Sequence, residues 1–110
     1  LSLLMILIIS SILTKESYSQ MSRFNGENLF NICNNEKLAC RAFIVAVVDT
    51  TVLNDAAEKI DCSSFKIPKS ITLDELKDII IKNLSKNPKK SQQSGVFSVI
   101  SILHNAFPCS

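Results

Sequence analysis

The stretch from Cys40 to Leu53, CRAFIVAVVDTTVL, sets the terms for the whole chain. It is about 14 residues long, too short to cross a bilayer as a helix and too long for an ordinary strand. Its β-branched residues, from Ile44 to Val52, favour a strand. Its length, and its lack of Gly, Pro or strict alternation, favour a helix that is apolar nearly all round. A helix of that kind belongs in the middle of a small bundle, with other helices wrapped over it. The expected fold is therefore all-α, a small bundle of four to five helices. The alternative is a buried strand over 44–52, which circular dichroism would reveal.

Asp49 is the one charge near the middle of this run. A carboxylate inside an apolar helix needs a hydrogen-bond partner, or it carries a desolvation cost. The reading is a buried structural carboxylate bonded to the backbone of a neighbouring turn. The alternative is a contact at a subunit or partner surface.

Leu1 to Leu13 is a second apolar run. It has the length of a signal-peptide core, and Ser17-Tyr18-Ser19 offers small residues where a peptidase would read. Cleavage is expected after Ser19, with the basic segment before the core missing. Residues 1–19 then form a signal peptide and residues 20–110 a single helical domain. An uncleaved anchor is the other possibility. After cleavage no stable membrane insertion is expected. All four cysteines, Cys33, Cys40, Cys62 and Cys109, follow the cleavage point. An even set in a secreted domain points to two disulfides.

The remaining elements follow from local signals. Asn25 can cap a short helix whose face is Leu29, Phe30, Ile32 and Cys33. A polar turn, Asn34–Lys37, joins it to the long helix, which begins near Leu38 or Cys40. So short a connection brings Cys33 near Cys40 and leaves Cys62 for Cys109. Four cysteines nevertheless allow three connectivities, and spacing alone does not choose among them. Residues 54–69 read as irregular, with Pro68 disfavouring helix at Ile67. Thr72-Leu73-Asp74-Glu75 is a capping box, with Thr72 and Glu75 as its reciprocal pair. The helix after it shows Leu73, Leu76, Ile79, Ile80, Asn83 and Leu84 on one face. Asn87 and Pro88 are expected to open the last helix, whose stripe is Val96, Val99, Ile100 and Leu103, widened by Phe97 and Ile102.

Little in the chain suggests catalysis. His104 is the only histidine, there is no CxxC pair, and Gly26 and Gly95 are the only glycines. A closed zinc site, a thiol-disulfide catalyst and a phosphate loop are all disfavoured. No cofactor, no metal and no enzymatic activity are expected. A net charge of +2 gives no reason to expect a nucleic-acid partner. The lysines Lys82, Lys86, Lys89 and Lys90 form the one charge cluster. They read as a solvated helix junction. Lys86, Lys89 and Lys90 are also the candidate contacts to an acidic partner.

Several of these pieces, taken in order, resemble the Rap/Tai family of immunity proteins. They are Phe24-Asn25-Gly26-Glu27-Asn28-Leu29 through Cys33, then Cys40 to Asp49 with its aromatic Phe43, then Phe65-Lys66-Ile67-Pro68 with Thr72 and Leu76. Leu84-Ser85-Lys86-Asn87-Pro88 and Ala106-Phe107-Pro108-Cys109 complete the set. Ala42 stands where the family usually has Gly. Lys66 stands where its third cysteine usually falls, with Cys62 four residues earlier. The resemblance implies a helical, non-catalytic periplasmic protein associated with type VI secretion. Its partner would be a cognate secreted peptidoglycan amidase, whose active site it blocks. Some members act as dimers, so a homodimer is a second expected association. The loops at 54–69 and 86–94 are the candidate contact regions. A periplasmic acid-stress chaperone, or a family member with no toxin, is the competing reading.

Overall fold

The computed structural model describes residues 24–87 and 92–110. Four α-helices are present among them: α1 (Gly26–Asn35), α2 (Lys37–Ala57), α3 (Leu73–Lys86) and α4 (Gly95–Ala106). Each packs on the other three. No strand forms among the described residues; the nearest thing to one is an isolated antiparallel bridge between Asn25 and Ser94. The all-α, doubly stapled bundle is what the apolar run and the four cysteines lead one to expect. The signal-peptide reading of residues 1–19 lies outside the described residues.

α1 starts at a reciprocal cap. The Asn25 side chain accepts from the Asn28 amide, and the Asn28 side chain accepts from the Asn25 amide, both at 3.0 Å. This satisfies two otherwise orphan donors. The expected four-residue turn after α1 is in fact a single residue. Glu36, at φ −133° and ψ 84°, separates the two helices. The Cys33–Cys40 disulfide closes over this joint, with Cα atoms 4.6 Å apart.

α2 buries Cys40, Ile44, Val47 and Asp55. α3 opens on Thr72, whose hydroxyl accepts from the Glu75 amide at 3.2 Å. It buries Leu76, Ile80 and Leu84. The Asn87 amide bonds back to the Asn83 carbonyl and ends α3. The expectation that Pro88 opens the last helix falls at residues 88–91, outside the described residues. Residues 92–94 are not helical, so α4 starts anew at Gly95. The Ser94 side chain accepts from the Phe97 amide and caps it.

α4 is rotated relative to the stripe read from the sequence. Its inner face is Gly95, Ser98, Val99, Ile102 and Leu103, while Val96 and Phe97 are about half exposed. The reason lies in Gly95. A Cβ there would lie 2.6 Å from a ring carbon of Phe24, which itself packs on Phe43 at 5.1 Å between centroids. The helix comes in on its small residues, so the bulky Val96 and Phe97 turn outward. The core holds Leu29, Cys40, Ile44, Ile80, Val99, Ile102 and Leu103, all at 0% exposure, with Cys33 beside them at 3%.

Candidate functional site

α2 is where the structure departs most from a helix wrapped on all sides. Its inner face is well packed, but its outer face is open. Leu38 is 85% exposed, Val52 55% and Leu53 68%, with Val45 also exposed. Leu38, Ala42, Val45, Asp49, Val52 and Ala56 are all exposed and follow one another at alternating steps of four and three. Residues so spaced line up along one side of a helix. The result is an apolar seam along most of α2, with one carboxylate in it.

That carboxylate is Asp49, which is exposed and not buried as its apolar neighbours suggest. Helical geometry explains the difference. At about 100° per residue, Asp49 lies about 140° round the helix from Ile44 and about 160° from Val47. It therefore points away from the core that those residues enter. The buried acid of α2 is Asp55, at 7% exposure. By the same arithmetic it sits about 20° from Ile44. Asp55 continues the buried stripe of Cys40, Ile44 and Val47, which an all-round apolar sequence does not single out.

The end of α2 shapes the surroundings of Asp55. The Lys59 amide bonds to the Ala56 carbonyl at 3.2 Å, and the Ile60 amide to the Asp55 carbonyl at 2.8 Å. Lys59 has φ 58°. This is a Schellman turn with lysine at its left-handed position. It sends residues 60–67 back along the helix. The Ser63 amide then donates to Asp55 Oδ2 at 3.1 Å.

Three further ties hold this returning segment against the C-terminal end. Cys62 is bonded to Cys109. The Lys66 amide donates to the Phe107 carbonyl at 2.9 Å. His104 Nδ1 contacts the Ser64 carbonyl, and since that oxygen only accepts, the ring nitrogen is the donor. His104 is thus an exposed residue with a structural bond. Between the segment, α2 and the start of α3 lies an open cleft of about 500 Å³. A smaller hollow of about 250 Å³, lined by Phe43, Val47 and Ile100 among others, lies between α2 and α4.

The other candidate residues fall elsewhere. Lys86 is exposed at the end of α3. Lys89 and Lys90 lie outside the described residues. Thr72 and Glu75 are engaged with each other: the Glu75 carboxylate accepts from the Thr72 hydroxyl at 3.0 Å. Beside them Asp74 pairs with Arg41 of α2 at 2.6 Å. The hydrogen bond and charge of Arg41 hold the Asp74 carboxyl below its ordinary value of 3.8. Among the described residues no group of three His, Cys, Asp or Glu side chains could hold a metal ion. Nor is any described helix long and apolar enough to cross a membrane.

An exposed apolar seam on a disulfide-stapled scaffold suits a protein that binds another protein. Residues 25–109 match the family of Rap1a immunity proteins. The chain belongs to this family. No curated protein and no solved structure matches it. As a Rap1a immunity protein it has a role in toxin immunity. The matched region takes in all four helices and both disulfides. Paired cysteines of this kind fit an oxidising compartment outside the cytoplasm.

Proposed function

We propose that this Rap1a protein neutralises a cognate secreted peptidoglycan amidase in the periplasm. It does so by binding the toxin and blocking its active site, as an inhibitor and not as an enzyme. The observation that carries this reading is the exposed apolar seam of α2, from Leu38 to Ala56. Leaving Leu38, Val52 and Leu53 in water is unfavourable by about 25 cal/mol for each Å² of apolar surface. A tight partner recovers that free energy on association.

We assign the seam to the toxin, and a second copy in parallel register is disfavoured there. Two copies laid in parallel along the seam would set Asp49 against Asp49, a like-charge pair in a drying interface. A toxin surface that brings a cation to Asp49 meets no such conflict. The loop at 60–67 lies next to the C-terminal end of the seam and extends the contact surface.

The test is co-purification with the products of neighbouring genes, using disulfide-bonded protein. Stoichiometric capture of one secreted amidase, with loss of its peptidoglycan-cleaving activity, is the expected outcome. Val45→Asp and Val52→Asp should each weaken that complex on the order of tenfold or more, about 1.4 kcal/mol. Full amidase activity in the presence of excess protein would refute the proposal.

A further inference from the structure

The cleft beside α2 contains a feature that the apolar seam does not account for. Asp55 lines it and is more than nine-tenths buried. One carboxylate oxygen, Oδ2, accepts from the Ser63 amide. The other, Oδ1, is buried and has no hydrogen-bond partner. A buried carboxylate oxygen left unpaired is costly, and the cost falls if a donor is brought to it. A charged donor bonds to it about twice as strongly as a neutral one.

The walls are apolar. Val48, Val52, Phe65, Ile67 and Leu76 surround the opening. Asp61 lies at the same cleft as a second, exposed carboxylate. The chain's own cation there, Lys66, is engaged with Asp61 at 3.6 Å, and its side chain is 60% exposed. It therefore stays in solvent and does not serve Asp55. The ties at Cys62, Ser63, Ser64 and Lys66 hold the backbone of the outer wall, while Oδ1 itself is covered, so a donor reaches it as the neighbouring side chains give way. An aliphatic cleft with a buried, half-satisfied acid suits a side chain with an apolar stem and a positive head.

We propose that this cleft receives an arginine or lysine side chain of the protein partner. The stem packs between Val52 and Ile67, and the cationic head displaces the cover over Asp55 Oδ1 and donates to it. Arginine is the better fit, because a guanidinium is more weakly hydrated than an ammonium and presents more donors to a carboxylate. The inference rests on the toxin-binding reading for the identity of the partner. It turns the returning segment into an anchor pocket at the end of the α2 seam.

The experiment needs no toxin, so its failure and that of the inhibition assay are separable. Amide shifts of the disulfide-bonded protein are followed by NMR during titration with N-acetyl-arginine amide, N-acetyl-lysine amide and N-acetyl-citrulline amide. Saturable shifts at 48–67 are expected with the arginine probe at millimolar concentration. Citrulline, which keeps the shape and loses the charge, should bind at least tenfold more weakly. Asp55→Asn keeps an acceptor for the Ser63 amide and should lower arginine binding by a similar factor. Lysine binding would also support the proposal, since it carries the same charge. Equal binding of arginine and citrulline, unchanged affinity in Asp55→Asn, or no saturable shift would overturn it. Should Asp55→Asn fail to fold, the arginine-citrulline comparison on the native protein still decides.

Discussion

Two acids on one helix show how much depends on which side of the helix a residue falls. Asp49 and Asp55 are six positions apart, yet the first is in water and the second is in the core margin. Asp49→Ala should therefore change stability by no more than about 0.5 kcal/mol in a denaturant titration. A loss of several kcal/mol would mean that Asp49 is buried after all. Arg41 and Asp74 make the other informative pair, joining α2 to the first turn of α3. Because Arg41 lowers the Asp74 pKa below 3.8 in the folded protein, the contact favours folding above that unfolded-state value. Its contribution falls away as pH drops through the depressed folded value. Asp74 is exposed, so water and salt weaken the effect. Arg41→Gln should raise the Asp74 carboxyl titration towards 3.8, followed by carboxyl carbon NMR. The stability gap between native and variant protein should be larger near neutral pH than at about pH 2.

Helix ends and close approaches govern the elements. Lys59 holds a left-handed conformation that costs a non-glycine residue roughly 1–2 kcal/mol. The Schellman bonds on either side keep it there. Lys59→Gly should accordingly stabilise the fold by about 0.5–1 kcal/mol in thermal or chemical unfolding, the rest being offset by the freedom glycine gains when unfolded. Destabilisation would show that the lysine side chain has a role its backbone does not reveal. Gly95 is the opposite case. Its φ is not left-handed, and what it needs is space. A methyl group there meets the Phe24 ring at 2.6 and 2.7 Å and the Phe43 ring at 3.3 Å. Since the two rings brace each other, Gly95→Ala should cost about 1–3 kcal/mol as overpacking, measured by equilibrium unfolding. A neutral result would mean that Phe24 yields freely.

Across the whole molecule the two disulfides do different work. Cys33–Cys40 spans a sequence separation of 7 and locks one helix joint. Cys62–Cys109 spans 47 and binds the returning segment to the chain's C-terminal end. Loop-closure entropy assigns about 2.5 kcal/mol to the first and about 4 kcal/mol to the second. The Cys62→Ser/Cys109→Ser double variant should thus unfold at lower denaturant than Cys33→Ser/Cys40→Ser. It should also lose the protection of the Ser63 and Lys66 amides in hydrogen exchange. If the short bridge proves the more important, loop length is not what sets the ranking, and the burial of Cys33 and Cys40 is the better explanation.

The class of fold was legible along the chain, because periodicity, caps and cysteine spacing are local properties. The Thr72–Glu75 box, the face Leu76, Ile80, Leu84 and the pairing of nearby Cys33 with Cys40 are all set within a few residues. The ordered motifs from Phe24 to Cys109 were enough to suggest the family. Which side of α2 is core was not legible there. A run of Ala, Val and Leu is apolar in every direction, and only packing against α1, α3 and α4 breaks that symmetry. The same contacts turned α4 on its small residues and left Asp49 outside. The cleft at Asp55 was less legible still. It depends on a left-handed turn without glycine, a long-range disulfide and a backbone amide eight residues away. The turn and the amide bond are local but lack the glycine or capping residue that would mark them, and the cleft itself exists only once the disulfide sets the returning segment against the C-terminal end.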